Sequence, residues 1–295
     1  MINKRKILFI INPISGTGKQ KVVEQLIEVY LDQSKFDVKI KYTERAGHAI
    51  SLSAAASKNK YDIVVAVGGD GSVNEIGQSL VGGDTVLGIV PTGSGNGLAR
   101  HLNIPMNLKA AVILLNEADF NCVDVGTING KVFLGTAGVG FDAHIGKLFS
   151  NVQTRGFFTY VRLSIREFFK YNPAEYQIQI DGVHHTRKAF LVCFGNSNQW
   201  GNNVYISPNS VIDDGFLRVI ILRKMSLFLL PFFVLKLLLK KVDSSIYYEE
   251  FKGRKVVVKQ ISKLAHLDGD PFEIGNELII GVKPVSLNIV FNKSK

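Results

Sequence analysis

The sequence predicts two domains, an amino-terminal α/β domain built on a parallel sheet and a β-rich, antiparallel, sandwich-like second domain. Three observations carry this expectation. Residues 63–67 read Ile-Val-Val-Ala-Val, an apolar, mostly β-branched run of the kind buried on both faces of a parallel sheet. Three successive strand-to-helix turns, after strands near residues 10, 67 and 90, are rich in glycine and small polar residues. Beyond residue 121 the texture changes to short strand-forming runs, some parted by Asn129-Gly130 and Asp181-Gly182, both strong hairpin signals. The expected boundaries are 1–120 and 121–283, with a last segment of about 284–295 returning to the first domain.

Composition narrows the classes. With 295 residues, 46% of them hydrophobic, the chain has ample material for two cores. Its formal charge of +10 favours an anionic partner: nucleic acid, an acidic membrane surface or a polyphosphate. Cys122 and Cys193 are too few for a disulfide framework or a structural zinc site, and a reducing cytoplasm is the simplest compartment. The basic start followed by apolar residues 7–11 is too short for a signal peptide and reads as the first strand. Residues 225–239, MSLFLLPFFVLKLLL, fall short of the roughly 20 needed to span a bilayer, and Pro231 and Lys236 interrupt them.

The elements follow in order. Strand 6–11 leads into Asn-Pro-Ile-Ser-Gly-Thr-Gly-Lys at 12–19, a loop whose Gly16, Gly18 and Lys19 stand too close together for a Walker A motif, and then into a helix over 20–31. Strand 37–42 places Val38, Ile40 and Tyr42 on one face, and a helix over about 47–59 follows Thr43. The central stretch runs from strand 63–67 into Gly68, Gly69, Asp70 and Gly71, with Ser72 or Asp70 as the expected cap of a helix beginning near Val73. A glycine turn opening into a helix N-terminus offers N–H groups to a phosphate. A carboxylate such as Asp70 facing phosphates makes sense chiefly with Mg²⁺ between them, the plain alternative being a helix-capping Asp in a βα turn. Strand 85–90 ends in Pro-Thr-Gly-Ser-Gly-Asn-Gly, where Ser94 and Asn96 offer polar groups. Such turns meet at the carboxyl edge of an open α/β sheet, so three of them predict a nucleotide-sized site. His101 reads as a solvent-facing helix residue.

In the second half strands are expected at 122–128, 131–136, 176–180, 188–194, 217–222, 255–260 and 278–281, with helices at about 157–171 and 227–241. The second helix, with Lys236, Lys240 and Lys241 beside Leu and Phe residues, is assigned to core packing ahead of contact with acidic lipid. Acidic turns stand at Asp213-Asp214-Gly215 and Asp268-Gly269-Asp270. Each alone is more often a hairpin turn than a site.

The order of these motifs across nearly the whole chain resembles the diacylglycerol kinase catalytic family of lipid kinases, which includes bacterial diacylglycerol kinases, sphingosine kinases and ceramide kinases. The matching residues are Asn12-Pro13 with Ser15-Gly16, Gly68-Gly69-Asp70-Gly71-Ser72 with Asn74-Glu75, and Gly93-Ser94-Gly95-Asn96. They continue with Gly138-Val139-Gly140-Phe141-Asp142, Asp213-Asp214-Gly215 and Leu267-Asp268-Gly269-Asp270. Gly-Gly-Asp-Gly also occurs in NAD kinases and phosphofructokinases, so the combination carries the resemblance.

The resemblance implies a Rossmann-like amino-terminal domain that binds ATP and a β-rich domain that helps form the lipid site. It implies nucleotide contacts from Asn12, Thr43, Gly69, Asp70, Gly71, Ser72, Val73, Asn74, Glu75 and Ser94, and Mg²⁺ on Asp214 with the main-chain carbonyls of Val211 and Phe216. Asp270 stands where the family has a Glu general base, one methylene shorter. Gly97 stands where many bacterial diacylglycerol kinases have Asp, which leans toward sphingoid lipids. The implied reaction is transfer of the γ-phosphate of Mg·ATP to a lipid alcohol, diacylglycerol first and sphingoid bases or ceramide next, with Asp70 and Asp270 as the catalytic carboxylates. The expected partner is a lipid at an anionic membrane surface rather than nucleic acid, with peripheral membrane contact, and a homodimer is among the expected assemblies. The rival readings are a soluble kinase of the NAD kinase type and a non-catalytic lipid-binding relative.

Overall fold

The computed structural model describes residues 4–14, 20–117, 119–150, 152 and 157–292. Residues 15–19, which complete the first glycine-containing loop and include Ser15-Gly16, lie outside them. The chain forms two compact units, residues 1–123 with 285–295, and residues 124–284.

Unit 1 alternates strand and helix: β1 (Arg5–Ile11), α1 (Gln20–Tyr30), β2 (Phe36–Tyr42), α2 (His48–Lys58), β3 (Ile63–Gly68), α3 (Asp70–Leu80), β4 (Val86–Pro91), α4 (Gly97–His101) and α5 (Leu108–Leu114). Its strands are parallel, in the order β2-β1-β3-β4. The expected β-branched run is fully buried, as are residues 7–11 of β1, because helices cover both faces of a parallel sheet. β2 stands at the edge, so Val38 and Ile40 are only half-buried and Tyr42 is exposed. From β1 the chain turns first to β2 on one side and then to β3 on the other. That reversal between β1 and β3 opens a crevice beyond their carboxyl ends, the place where open α/β sheets bind ligands.

β5 (Phe120–Ile128) opens the second half, followed by β6 (Lys131–Phe133), β7 (Thr136–Gly140), α6 (Phe141–Ser150), α7 (Phe157–Lys170), β8 (Ala174–Ile180), β9 (Val183–Ala189), β10 (Leu191–Gly195) and β11 (Leu217–Leu222). α8 (Leu230–Leu238), β12 (Tyr248–Gly253), β13 (Lys255–Lys259), β14 (Leu264–Leu267), β15 (Asp270–Glu273) and β16 (Glu277–Val290) complete the chain. Within unit 2 one antiparallel sheet runs β12-β11-β10-β7-β14-β15. A second joins the first part of β16 to β13, β8 and β9, with β5 beside β16 and β6 beside β5. Phe133, Val139, Tyr176, Ile178, Phe194, Val219, Val256 and Ile280 fill the space between these sheets. The last part of β16 belongs to unit 1 and pairs in parallel with β4 through Ile289 and Leu87.

Three local expectations are corrected. The strand expected at 278–281 and the last segment of about 284–295 are joined in one element, β16, which passes a left-handed residue, Val285 (φ 46°), between its antiparallel pairing with β13 and its parallel pairing with β4. β7 and β9 were not expected as strands. β7 is rich in glycine, and β9 is a polar edge strand paired only with β8, so neither shows an apolar alternation. The helix assigned to core packing buries Phe233 and Leu237 and leaves most of its apolar side chains in solvent. A nine-residue helix lying on the outer face of a sheet can press only one stripe inward.

Candidate functional site

Unit 1 gathers its glycine turns at the carboxyl ends of β3 and β4. Gly69 and Gly93 pack directly against each other: a Cβ on Gly93 would stand 2.5 Å from Gly69 Cα and 2.8 Å from Asn96 Oδ1. No side chain can be added there without moving backbone. Asn96 holds the second turn closed in a left-handed conformation (φ 53°), its Nδ2 donating to Gly93 O at 2.8 Å.

The helix start differs from the expected one. α3 begins at Asp70 with Gly69 as its N-cap, and no side chain caps it. Asp70 reaches instead across to the next turn, where Gly97 N–H donates to its Oδ1 at 2.7 Å. Asn12, just past β1, donates from Nδ2 to Ser72 Oγ at 3.2 Å, which ties the first turn to the start of α3. Thr43 N–H donates to Ile11 O at 2.9 Å at the end of the β1–β2 ladder. Glu75 Oε1 accepts from Gly47 N–H at 3.0 Å and braces the entry to α2. Ser94 is exposed, and Val73 is buried beneath the turn.

Asn12, Gly69, Asp70, Gly71, Ser72 and Ser94 thus belong to turns at one edge of one sheet. The first N–H groups of a helix have no acceptor within the helix, and aligned peptide dipoles favour an anion beside them. The side-chain-free contact of Gly69 with Gly93 brings main chain of two turns together at that edge. This arrangement fits the phosphates of a nucleotide.

Unit 2 contains the acidic turns. Asp268 and Gly269 form the two-residue turn of the β14–β15 hairpin with φ values of 47° and 91°, which a Gly tolerates and an Asp accepts more readily than most residues. The Asp268 carboxylate accepts three main-chain N–H groups, from Leu134 at 2.9 Å, Gly135 at 2.7 Å and Thr136 at 2.9 Å. Asp270 follows as the first residue of β15, exposed and carried on this anchored turn. Underneath, His266 and Asp142 form a buried pair, and Gly269 N–H donates to His266 Nδ1 at 3.4 Å. Sequence reading quoted Asp142 within a motif but gave it no role and did not single out His266. The signal available was Gly138, whose missing side chain leaves room for both groups.

Asp214 lies in the turn before β11. Its carboxylate meets Arg218 Nη2 at 3.2 Å and Lys252 Nζ at 3.0 Å, and accepts Phe216 N–H at 3.0 Å. Val211 is exposed, and Lys252 and Arg254 sit over the Phe216 ring at 4.1 and 4.5 Å. Among the described residues no group of three or more His, Cys, Asp or Glu side chains is placed to hold a metal ion. One carboxylate already satisfied by two cations is a poor ligand for a divalent ion, so Val211, Asp214 and Phe216 in this arrangement do not fit Mg²⁺. Asp124 supports the same turn from β5, its Oδ2 accepting Gly215 N–H at 2.6 Å.

Comparison with known proteins agrees with this anatomy. Residues 6–128 match the diacylglycerol kinase catalytic domain, and residues 135–291 match the YegS C-terminal NAD kinase beta sandwich-like domain. The chain is 29% identical over 228 residues to a diacylglycerol kinase of Bacillus subtilis, covering 74% of each chain. It is 27% identical over 231 residues to a diacylglycerol kinase of Staphylococcus saprophyticus, covering 76% of this chain and 75% of that one. A crystal structure of a diacylglycerol kinase from Bacillus anthracis has the same fold, with a TM-score of 0.76 at 20% identity over 100% of this chain and 99% of that one. With a glycine-built sheet edge in one unit and a β-sandwich carrying the acidic turns in the other, the chain belongs to the diacylglycerol kinase catalytic family of lipid kinases.

Proposed function

We propose that the protein transfers the γ-phosphate of Mg·ATP to the hydroxyl of a lipid alcohol, with diacylglycerol as the first candidate and sphingoid bases or ceramide as the others. The observation that carries this reading is the contact of Gly69 with Gly93 at the start of α3, where two turns present main chain to an anion. In this reading Asn12, Thr43, residues 69–75 and Ser94 hold the nucleotide. The magnesium ion arrives with ATP as part of the substrate, and Asp70, fixed by Gly97 N–H, orients it.

Asp270 takes the proton of the acceptor hydroxyl. The new acceptor O–P bond forms as the bond from the γ-phosphorus to the bridging oxygen of ADP breaks, and ADP leaves. Such transfer needs little covalent chemistry from the protein, so positioning and electrostatics supply the catalysis. A misplacement of about 1 Å can cost about 10²-fold in rate, so a carboxylate one methylene short needs a rigid platform. The three N–H bonds to Asp268 supply one directly beside Asp270.

The test incubates the full chain with radiolabelled ATP, Mg²⁺ and mixed micelles carrying diacylglycerol, sphingosine, ceramide or monoacylglycerol separately. Label in a chloroform-soluble product is the expected result and names the acceptor. No lipid product, with label entering NADP when NAD is added, would replace this reading by the soluble-kinase one. Lipid binding without any turnover would replace it by a non-catalytic role.

A further inference from the structure

The hydrophobic segment of unit 2 is folded with its greasiest side outward. A 3₁₀ turn over Leu227–Leu229 runs into α8, which starts with Pro231 in its first turn. Met225, Phe233 and Leu237 point into a cluster with Phe190, Leu191, Cys193, Ile220 and Leu222. At about 100° per residue, Phe228, Phe232, Leu235 and Leu239 fall within about 60° of one another on the opposite side of the helix. They are the exposed ones: Phe228 is 85% exposed, Phe232 67%, Leu235 52% and Leu239 56%. Leu227, Leu229, Val234 and Leu238 are exposed on the shoulders of this stripe. Side chains exposed to this degree form a projecting ridge rather than a groove.

The charge around the ridge is predominantly basic. Residues 223–243 carry Arg223, Lys224, Lys236, Lys240 and Lys241 against a single acid, Asp243. Arg223 is engaged with Glu249 at 3.6 Å, and Lys224 Nζ donates to Tyr171 O. Lys236 Nζ donates to Ser244 O at 3.1 Å, and Lys240 Nζ sits 4.6 Å from the Tyr205 ring centre. The last two contacts hold Lys236 and Lys240 at the C-terminal end of α8.

We propose that this ridge is a membrane-docking element that inserts its apolar stripe into the interfacial layer of an anionic bilayer, with Lys236, Lys240 and Lys241 on the lipid headgroups. No helix among the described residues is long and apolar enough to cross a membrane, and α8 at nine residues is about 13 Å long. It therefore lies in the plane of the interface. Apolar insertion combined with a basic flank is the pairing that gives stable interfacial binding where either alone is weak. A protruding ridge with cations beside it matches a fluid, negatively charged surface by shape and by charge. This inference rests on exposure and charge and holds whichever alcohol the enzyme phosphorylates.

The experiment is flotation of the full chain, without nucleotide, on vesicles of phosphatidylcholine alone or with about one third phosphatidylglycerol. The parent should float with the anionic vesicles and weaken with salt. A triple variant, Phe228→Ser with Phe232→Ser and Leu235→Ser, should lose about tenfold or more in partitioning, since several buried apolar groups are removed. Lys240→Ala with Lys241→Ala should weaken binding only to the anionic vesicles. Unchanged circular dichroism and activity on a short-chain, micelle-dispersed acceptor would show that the variants fold. The proposal is overturned if the parent does not float, or if the triple variant floats as the parent does. Dimerisation of the parent in sedimentation without lipid, lost in the triple variant, would also overturn it and assign the ridge to a second copy of this chain. Failure of the kinase reading would instead appear as absent lipid phosphorylation with flotation intact.

Discussion

His266 Nε2 lies 2.9 Å from Asp142 Oδ2, and the two side chains are 3% and 7% exposed. The pair joins the first turn of α6 to β14, directly before the turn that carries Asp268 and Asp270. Asp142 Oδ1 also accepts Ala143 N–H at 2.8 Å, so the carboxylate is satisfied from both sides. Removing the ring leaves a buried acceptor without its partner. His266→Ala should therefore destabilise the protein by roughly 1–3 kcal/mol in urea unfolding. Asp142→Asn keeps one acceptor but turns its NH2 group toward either His266 Nε2–H or Ala143 N–H, so it should destabilise as well. Equal stability of His266→Ala and the parent would deny the pair this role.

Gly93→Ala tests the contact between the two turns. A methyl group at 93 would meet Gly69 Cα at 2.5 Å, and a Cα cannot rotate away. The expected outcome is a loss of about 10²-fold in kcat/KM for ATP as the turn shifts by a fraction of an ångström to about 1 Å. Overpacking should add a stability cost of about 1–3 kcal/mol. Full activity would show that the closeness of these turns is immaterial.

Asp70 is tested with two substitutions. Asp70→Asn keeps an oxygen that can accept Gly97 N–H but removes the charge, whereas Asp70→Ala removes both. Both should lower kcat by about 10²-fold or more, because electrostatic stabilisation of the transferring group is the largest contribution to such catalysis. Only Asp70→Ala should also lower the melting temperature. An active, folded Asp70→Ala would refute the assignment.

For Asp270 the comparison is between Asn and Glu. Unfolding is measured beside activity, so that loss of the proposed base is separated from loss of fold. Asp270→Asn should reduce kcat by about 10²–10⁴-fold, the usual contribution of a general base. Asp270→Glu keeps the base and extends its reach, so it should retain activity. Equal activity of Asp270→Asn and the parent would move the base elsewhere.

Thiol chemistry offers a check on unit 2. Burial pushes the Cys193 thiol well up, with nearby Asp142 adding to the rise. The thiolate is the reactive form, and a raised pKa keeps it scarce at neutral and mildly alkaline pH. Cys122 is only half-buried. A chromogenic disulfide should label Cys122 alone in the folded protein and both cysteines after unfolding. Rapid labelling of Cys193 at pH 7 would mean that its sheet opens readily.

Much of unit 1 was legible because its signals are local. Residues 63–67 form a buried strand as a β-branched run favours, and the strand passes into α3 through Gly69, where the missing side chain leaves the main chain accessible. The hairpins at Asn129-Gly130 and Asp181-Gly182 were legible for the same reason: positive φ is written into the residue types. β9 was not, because Val-His-His-Thr-Arg-Lys-Ala has no apolar alternation, and only the β8 ladder makes it a strand.

Residue types and their spacing along the chain were enough to reach the resemblance to the family, the α/β and antiparallel halves, the glycine turns and the positions of the acids. Tertiary structure decided what those residues touch. It turned Asp70 from a helix cap into the acceptor of Gly97 N–H, surrounded Asp214 with Arg218 and Lys252, and joined Asp142 to His266. It also decided which side of α8 faces the core, because a helix apolar nearly all round carries no periodicity from which that side can be read. Contacts between residues tens to more than a hundred positions apart are set by how strands pair, and no local pattern encodes that pairing.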